Sequence, residues 1–127
     1  MTKWLSPVEQ QSWRAFIAAW TLLNHQLNID LQSQHGLTIA DYEILVRLSE
    51  TEGRRMRMSE LAEATLASRS RLSHQVGRME TAGLITREEC TEDRRGSFAV
   101  LTDAGWQALV AAAPTHVTGV RTNLVDV

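Results

Sequence analysis

One segment of the chain, SRSRLSHQVGRME at residues 68–80, combines basic and small polar side chains with a regular apolar pattern. Its apolar residues Leu72, Val76 and Met79 recur at intervals of three and four, so they fall on one narrow arc of a helix. The pattern predicts a helix that is buried along that arc and exposed along the opposite one. The exposed arc and its two edges carry Arg69, Ser70, Arg71, Ser73, His74, Gly77 and Arg78.

The composition of the exposed arc distinguishes two interpretations of this helix. A helix that is merely solvated usually interleaves acidic and basic residues in i to i+4 pairs, but this arc has no acidic residue before Glu80. Short polar side chains let a helix approach the floor of a DNA groove and read base edges, and flanking arginines fit the phosphates on either wall. The pattern therefore favours a DNA-recognition helix over a solvated surface helix.

The charge distribution points in the same direction, although the net charge does not. The net charge of −2 argues against a protein that coats nucleic acid without specificity. Residues 54–79, however, contain six arginines and only two acidic residues, Glu60 and Glu63, so the rest of the chain is strongly acidic. This asymmetry predicts one basic face on an otherwise acidic molecule.

Length and composition exclude several other classes of protein. The 127 residues suit a single domain. The longest apolar runs are too short to cross a bilayer, and the N-terminal residues lack a signal-peptide core, so a cytoplasmic location without membrane contact is expected. Cys90 is the only cysteine and the four histidines are scattered, which predicts neither a disulfide nor a metal site. No catalytic or phosphate-binding motif is present, so we expect no enzyme activity and no cofactor.

Apolar periodicity predicts a mainly helical chain. A long helix covers residues 8–34, and a second helix begins at Thr38. A third, short helix is predicted with Ser59 as its N-cap and Leu66 facing inward, and the fourth runs from Ser68 to Gly83. The short helix, the tight turn and the fourth helix have the order of a helix-turn-helix.

The region after the fourth helix predicts a two-stranded hairpin and a last helix. The segment EDRRGS puts Arg94 and Arg95 at the hairpin tip, where they would enter an adjacent minor groove, and Asp93 would orient one arginine by an ion pair. The last helix starts at Thr102 or Asp103, and Pro114 is expected to kink or interrupt it.

Together, these motifs resemble the MarR (multiple antibiotic resistance regulator) family of winged helix-turn-helix regulators. The stretch LAEATLASRSRLSHQVGRMETAGLITRE is similar to that family's helix-turn-helix, DRRGSFAVLTDAG to its wing, and HGLTIADYEILVRLSE to its entry into the second helix. The resemblance implies a single domain over 1–127. Helices at 8–36 and 103–127 would form the dimer, and a winged helix-turn-helix lobe at 37–102 would bind DNA.

The resemblance also implies a function and the residues that perform it. Such a regulator is a homodimer, usually a repressor, that binds a pseudo-palindromic operator and is released by a small aromatic or lipophilic effector. The residues implied to contact double-stranded DNA are Ser68, Arg69, Ser70, Arg71, Ser73, His74, Arg78, Arg94 and Arg95. Phe16, Trp20 and Tyr42 are candidates for lining the effector pocket.

Two features depart from the family pattern. Gln75 occupies a position that is commonly apolar, where it would loosen the packing or add a contact. Family members usually continue beyond the equivalent of VRTNLVDV with a further helix that completes the dimer, which implies a truncated product or a weakened dimer here. With the acidic net charge, this leaves an alternative open, namely a winged-helix module for protein–protein interaction without DNA binding.

Overall fold

Two long helices, α1 (Pro7–His35) and α5 (Asp103–Val120), contact each other along the molecule. The computed structural model describes residues 1–90 and 96–127. Between the long helices lie α2 (Ile39–Ser49), a 3-10 turn (Glu52–Arg54), β1 (Arg55–Arg57), α3 (Met58–Thr65), α4 (Arg69–Thr81), β2 (Ile85–Glu89) and β3 (Ser97–Leu101), and a π-helical turn (Arg121–Val125) follows α5. The predicted mainly helical fold with a small β wing is confirmed.

The ends of α1 explain its length. At its start, the Ser6 hydroxyl accepts from the Glu9 backbone N–H at 3.2 Å, and the Glu9 carboxylate accepts from the Ser6 N–H at 2.8 Å. At its end, Gly36 adopts a left-handed conformation (φ 68°). No glycine or proline interrupts the residues from Val8 to His35. The predicted single long helix is therefore confirmed.

The sheet differs from the predicted two-stranded hairpin because the described residues form three antiparallel strands in the order β1–β3–β2. The additional strand is β1, which pairs Met56 with Ala99 and Arg57 with Phe98. The guanidinium groups of Arg55 and Arg57 lie 4.0 and 5.4 Å from the centre of the Phe98 ring. Three residues, two of them arginines, are too short a stretch to show the alternation by which strands are predicted.

Three local predictions were wrong. Ser59 is not the N-cap of α3; Arg57 holds that position without a side-chain cap bond. Leu66 does not face inward, because it takes the left-handed position that ends α3 (φ 57°) and is 93% exposed. The interruption predicted at Pro114 is also wrong, because α5 continues through it to Val120. The first two errors have different causes: β1 ends directly before α3 and shifts its start, and the tight turn ends α3 at Thr65.

The core is centred on α2, which contributes Ile44, Leu45 and Leu48 to a buried cluster. The predicted N-cap of α2 is confirmed, since the Thr38 hydroxyl accepts from the Asp41 backbone N–H at 3.0 Å. The other fully buried large side chains come from α1, α3, α4 and β2: Leu31, Leu61, Leu72, Val76 and Ile85. One cluster therefore joins both long helices to the helix-turn-helix.

A close backbone contact fastens the end of α4 to the start of α5. The Thr102 hydroxyl donates to the Gly83 carbonyl at 2.6 Å, and the Thr102 N–H donates to the Leu84 carbonyl at 3.1 Å. Gly105, in the first turn of α5, lies so near the Leu84 carbonyl that a Cβ atom there would overlap the oxygen. A residue with a side chain does not fit at this junction unless the backbone moves.

We predict that Gly105→Ala lowers the free energy of unfolding by about 2 kcal/mol or more, because overpacking against a backbone carbonyl is relieved only by moving the helix. Gly77→Ala is the matched control, since its Cβ would lie at an ordinary 3.7 Å from the Arg87 guanidinium. Alanine is also the better helix former by about 1 kcal/mol. Urea denaturation at one protein concentration measures both variants. Equal midpoints for the two would show that the Gly105 contact has no energetic weight.

Candidate nucleic-acid interface

The helix α4 is held in place along one side and capped at both ends. Leu72, Val76 and Met79 are at most 3% exposed, which confirms the apolar arc predicted from their spacing. The Ser68 hydroxyl accepts from the Arg71 N–H at 3.2 Å and caps the first turn. The helix ends at Ala82 and Gly83 (φ 81°), and the Leu84 N–H donates back to the Met79 carbonyl at 3.0 Å.

The opposite side of α4 faces solvent and is basic. Arg71, His74 and Arg78 are all exposed there, and no acidic residue lies between Ser68 and Met79. Arg69, Ser68 and Ser70 are exposed in the first turn. The structure therefore brings six of the nine predicted DNA contacts onto one open surface, which we call the α4 face: Ser68, Arg69, Ser70, Arg71, His74 and Arg78.

Ser73, the seventh predicted contact, lies at the edge of this surface rather than fully on it. It is half-buried, and Arg87 from β2 reaches it with both terminal nitrogens. One nitrogen donates to the Ser73 hydroxyl at 3.3 Å and the other to its backbone carbonyl. The Ser73 oxygen is therefore engaged as an acceptor, although its own proton is free to be donated.

A second basic feature adjoins the N-terminal end of α4. A cavity of about 410 Å³ is lined by Arg57 from β1, Arg69 from α4 and Arg87 from β2, together with Ser59, Ser73 and Ser97. The sequence predicted Arg57 only as part of a basic stretch, and it predicted no role for Arg87. The available signal for Arg87 was the alternation of β2, which puts it on the same side of the strand as the buried Ile85.

A wide cleft separates α1 from α4, and the start of α2 forms its floor. Its volume is about 1070 Å³. The side chains that line it are mostly polar or basic: Trp20, Thr21, Asn24, His25 and Asn28 from α1, Thr38, Ile39 and Ala40 from the start of α2, and Ser68, Ser70, Arg71, His74, Gln75 and Arg78 around α4.

The three predicted effector residues do not line one common cavity among the described residues. Trp20 lines the cleft. Phe16 is 65% exposed and stacks on Trp13, with 6.3 Å between ring centres. Tyr42 is buried and stacks on His116, with 4.5 Å between ring centres. Of the three, only Trp20 is therefore placed to touch a ligand in this cleft.

Three predicted residues of the wing, Asp93, Arg94 and Arg95, lie outside the described residues. In residues 1–90 and 96–127, no cluster of three or more His, Cys, Asp or Glu side chains could hold a metal ion. The helices in the same ranges are too short or too polar to span a bilayer.

The fold and the α4 face can be compared with known proteins. A family model described as MarR family matches residues 35–96. A crystal structure is known for AbsC, a MarR family transcriptional regulator from Streptomyces coelicolor, whose sequence is 56% identical to this chain. The match covers 98% of this chain and 84% of the AbsC chain, and the two structures superpose with a TM-score of 0.92. The chain belongs to the MarR family. The sequence-based recognition is thereby confirmed, and so is the prediction that the chain is not an enzyme.

Two other relatives extend the comparison. One is Sco3205, a MarR family transcriptional regulator from Streptomyces coelicolor, whose crystal structure is a complex with DNA. It is 45% identical to this chain and superposes with a TM-score of 0.95, over 99% of this chain and 79% of the Sco3205 chain. The transcriptional regulator HosA from Escherichia coli is 32% identical over 78 residues. That match covers 61% of this chain and spans only 56% of the length of the curated relative.

The stacked pair Tyr42 and His116 joins α2 to α5. Burial lowers the pKa of His116 below its ordinary value of 6.5 and raises the pKa of Tyr42. The Nδ1 atom of His116 is buried, and it has no hydrogen-bond partner in the part of the chain that the structure describes. The folded protein therefore favours the neutral imidazole.

We predict that stability falls as the pH drops below about 6.5, because the unfolded chain then binds a proton at His116 more readily than the folded chain does. Above that pH both states are neutral at this residue, and its contribution is fully present. His116→Phe, which keeps a ring against Tyr42, should reduce the slope of unfolding free energy between pH 6.5 and 5.5. Equal slopes for the wild type and His116→Phe would contradict the assignment.

Proposed function

We propose that this member of the MarR family is a DNA-binding transcriptional regulator that acts as a homodimer on a pseudo-palindromic operator. The single observation that carries the proposal is the α4 face, an exposed row of arginines and small polar side chains on a helix whose other side is buried. The DNA complex of Sco3205, which is 45% identical, supports the same function here. A regulator of chromosomal genes would act in the cytoplasm.

The chemistry of the α4 face suggests a division of roles. Ser70 and His74 lie at the centre of the exposed arc and would read base edges in the major groove. Arg69, Arg71 and Arg78 border that arc and would contact phosphates. Ser68 and Ser73 would contribute from the edges. We propose that Arg94 and Arg95, oriented by Asp93, contact the adjacent minor groove.

The basic cavity beside α4 would extend the contact with the DNA backbone. Arg57 and Arg87 lie on different strands, yet both line the same space as Arg69. Serine hydroxyls between them are suitable donors to a phosphate oxygen. A phosphodiester group at this cavity would fix the register of α4 in the groove without reading sequence.

The apolar stripe of α1 supports the proposed dimer. In the C-terminal half of the helix, Leu27 and Leu31 are buried, and Leu27 packs closely against Gly119 of α5. The same stripe continues towards the N-terminus but is 42 to 65% exposed there, at Trp13, Phe16 and Ile17. Exposed large side chains in a continuous row mark an interaction surface. We propose that a second copy covers them, through helices within 8–36 and 103–127, leaving residues 37–102 to bind DNA.

The cleft between α1 and α4 would be the site of control. A small aromatic or lipophilic effector there would stack on Trp20, and an acidic group on it would suit Arg71 and Arg78. Such a molecule would occupy part of the α4 face and would release the DNA. The protein would then act as a repressor that its effector relieves.

We predict that Arg71→Ala combined with Arg78→Ala weakens binding to a duplex selected from genomic DNA and makes log Kd less dependent on log salt by roughly one or two units, about 0.9 for each lost phosphate contact. Arg47→Ala is the control, because Arg47 is equally basic and exposed but lies on α2 beside Glu43. Fluorescence anisotropy at several salt concentrations measures both. An unchanged salt dependence would show that Arg71 and Arg78 of α4 do not contact DNA phosphates. If the wild-type chain selects no duplex at low salt, it is instead an interaction module without DNA binding.

We also predict that Phe16→Glu raises the dimer dissociation constant at least about tenfold, because it puts a charge into the proposed apolar interface. Leu22→Glu is the matched control, since Leu22 is similarly exposed, at 70%, but lies on the opposite side of α1 from the stripe. Sedimentation equilibrium measures the association of both. Equal dissociation constants for the two variants would show that the stripe is not the interface.

A further inference from the structure

Asp41 is a charged residue in an unusual environment. Its side chain is 8% exposed, and no lysine or arginine of the described residues forms an ion pair with it. One carboxylate oxygen accepts from the Thr38 backbone N–H at 3.0 Å, and the other accepts from the Gln75 side-chain amide at 3.1 Å. Neutral donors and the N-terminal end of α2 therefore balance the charge.

This carboxylate lies between the helices that are proposed to bind DNA and to form the dimer. The Asn28 side chain of α1 accepts from the Ile39 N–H at 2.9 Å, at the first residue of α2. Within the same turn of α2, Asp41 accepts from Gln75 of α4. A continuous set of hydrogen bonds thus joins α1, the start of α2 and α4, and Asn28, Ile39 and Gln75 all border the cleft.

Gln75 is placed where it can control the rotation of α4 about its own axis. It is half-buried, directly after the exposed His74 and directly before the buried Val76. Apolar packing along Leu72, Val76 and Met79 is non-directional, so it tolerates small rotations of the helix. A hydrogen bond weakens steeply when its angle departs from linearity. The bond to Asp41 therefore supplies the directional restraint at this side of α4.

We propose that Gln75 is a positioning residue that holds α4 in its DNA-reading orientation through its hydrogen bond to Asp41. This inference rests on the proposed function, because it concerns how the same α4 face is aimed.

The test swaps the carboxylate and the amide between positions 41 and 75. Q75E sets two carboxylates against each other and should lower the ratio of affinities for the selected and a scrambled duplex by about tenfold, the upper range for one hydrogen bond. D41N alone should change the ratio by no more than about twofold, because the Gln75 amide can rotate and accept from the new amide group. The double variant D41N with Q75E, whose net charge equals that of the wild type, should recover most of the loss.

A matched control separates positioning from added charge. Gln26 donates to Asp30 at 3.0 Å, but both lie on the exposed surface of α1. Q26E adds the same negative charge to the same kind of pair and should leave the ratio unchanged. An unchanged ratio in Q75E, or a loss that D41N does not restore, would overturn the proposal.

Amide hydrogen exchange tests the role of Gln75 in holding α4 independently of DNA binding. Amide exchange over residues 72–79 should be faster in Q75E than in the wild type, and D41N should restore protection. This measurement needs no DNA. If the wild-type chain binds no duplex, the proposed function fails, and unchanged exchange in Q75E would still overturn the role of Gln75 in holding α4.

Discussion

The burial of one narrow arc of α4 is the constraint on which the remaining structure depends. Leu72, Val76 and Met79 are almost fully buried, and each such side chain contributes roughly 2 kcal/mol relative to an exposed position. Because only three apolar residues hold a helix of 13 residues, most of its surface remains free for polar side chains. With only three apolar residues in the core, packing alone gives α4 little directional restraint.

Polar contacts supply that restraint from three sides of α4. Arg87 from β2 holds the middle of the helix at Ser73, and the Asp41 carboxylate holds it at Gln75. The Thr102 hydroxyl holds the end of the helix through the Gly83 carbonyl. These partners come from the sheet, from α2 and from the start of α5. A change in the position of α4 relative to these three elements would therefore break hydrogen bonds as well as apolar packing.

The sequence predicted the elements whose signals are local and missed those that depend on distant partners. The caps at Thr38 and Ser68 and the apolar arc of α4 follow from residues within one or two turns, and all were confirmed. The strand β1 exists because β3 pairs with it across more than forty residues of sequence. The contact between Arg87 and Ser73 was missed for the same reason, since alternation gives the side of a strand but not the element that covers it.

The distribution of charge explains how an acidic protein can carry the proposed DNA-binding surface. Outside residues 54–79 the chain is strongly acidic, so at distances beyond the Debye length of about 8 Å a duplex gains little attraction from the molecule as a whole. Attraction would act at close approach, on the α4 face, on the adjoining arginine cavity and on the proposed wing contacts Arg94 and Arg95. Such a distribution lowers the nonspecific affinity for DNA and favours one orientation of the duplex. The proposed contact of α4 with a single groove requires such an orientation.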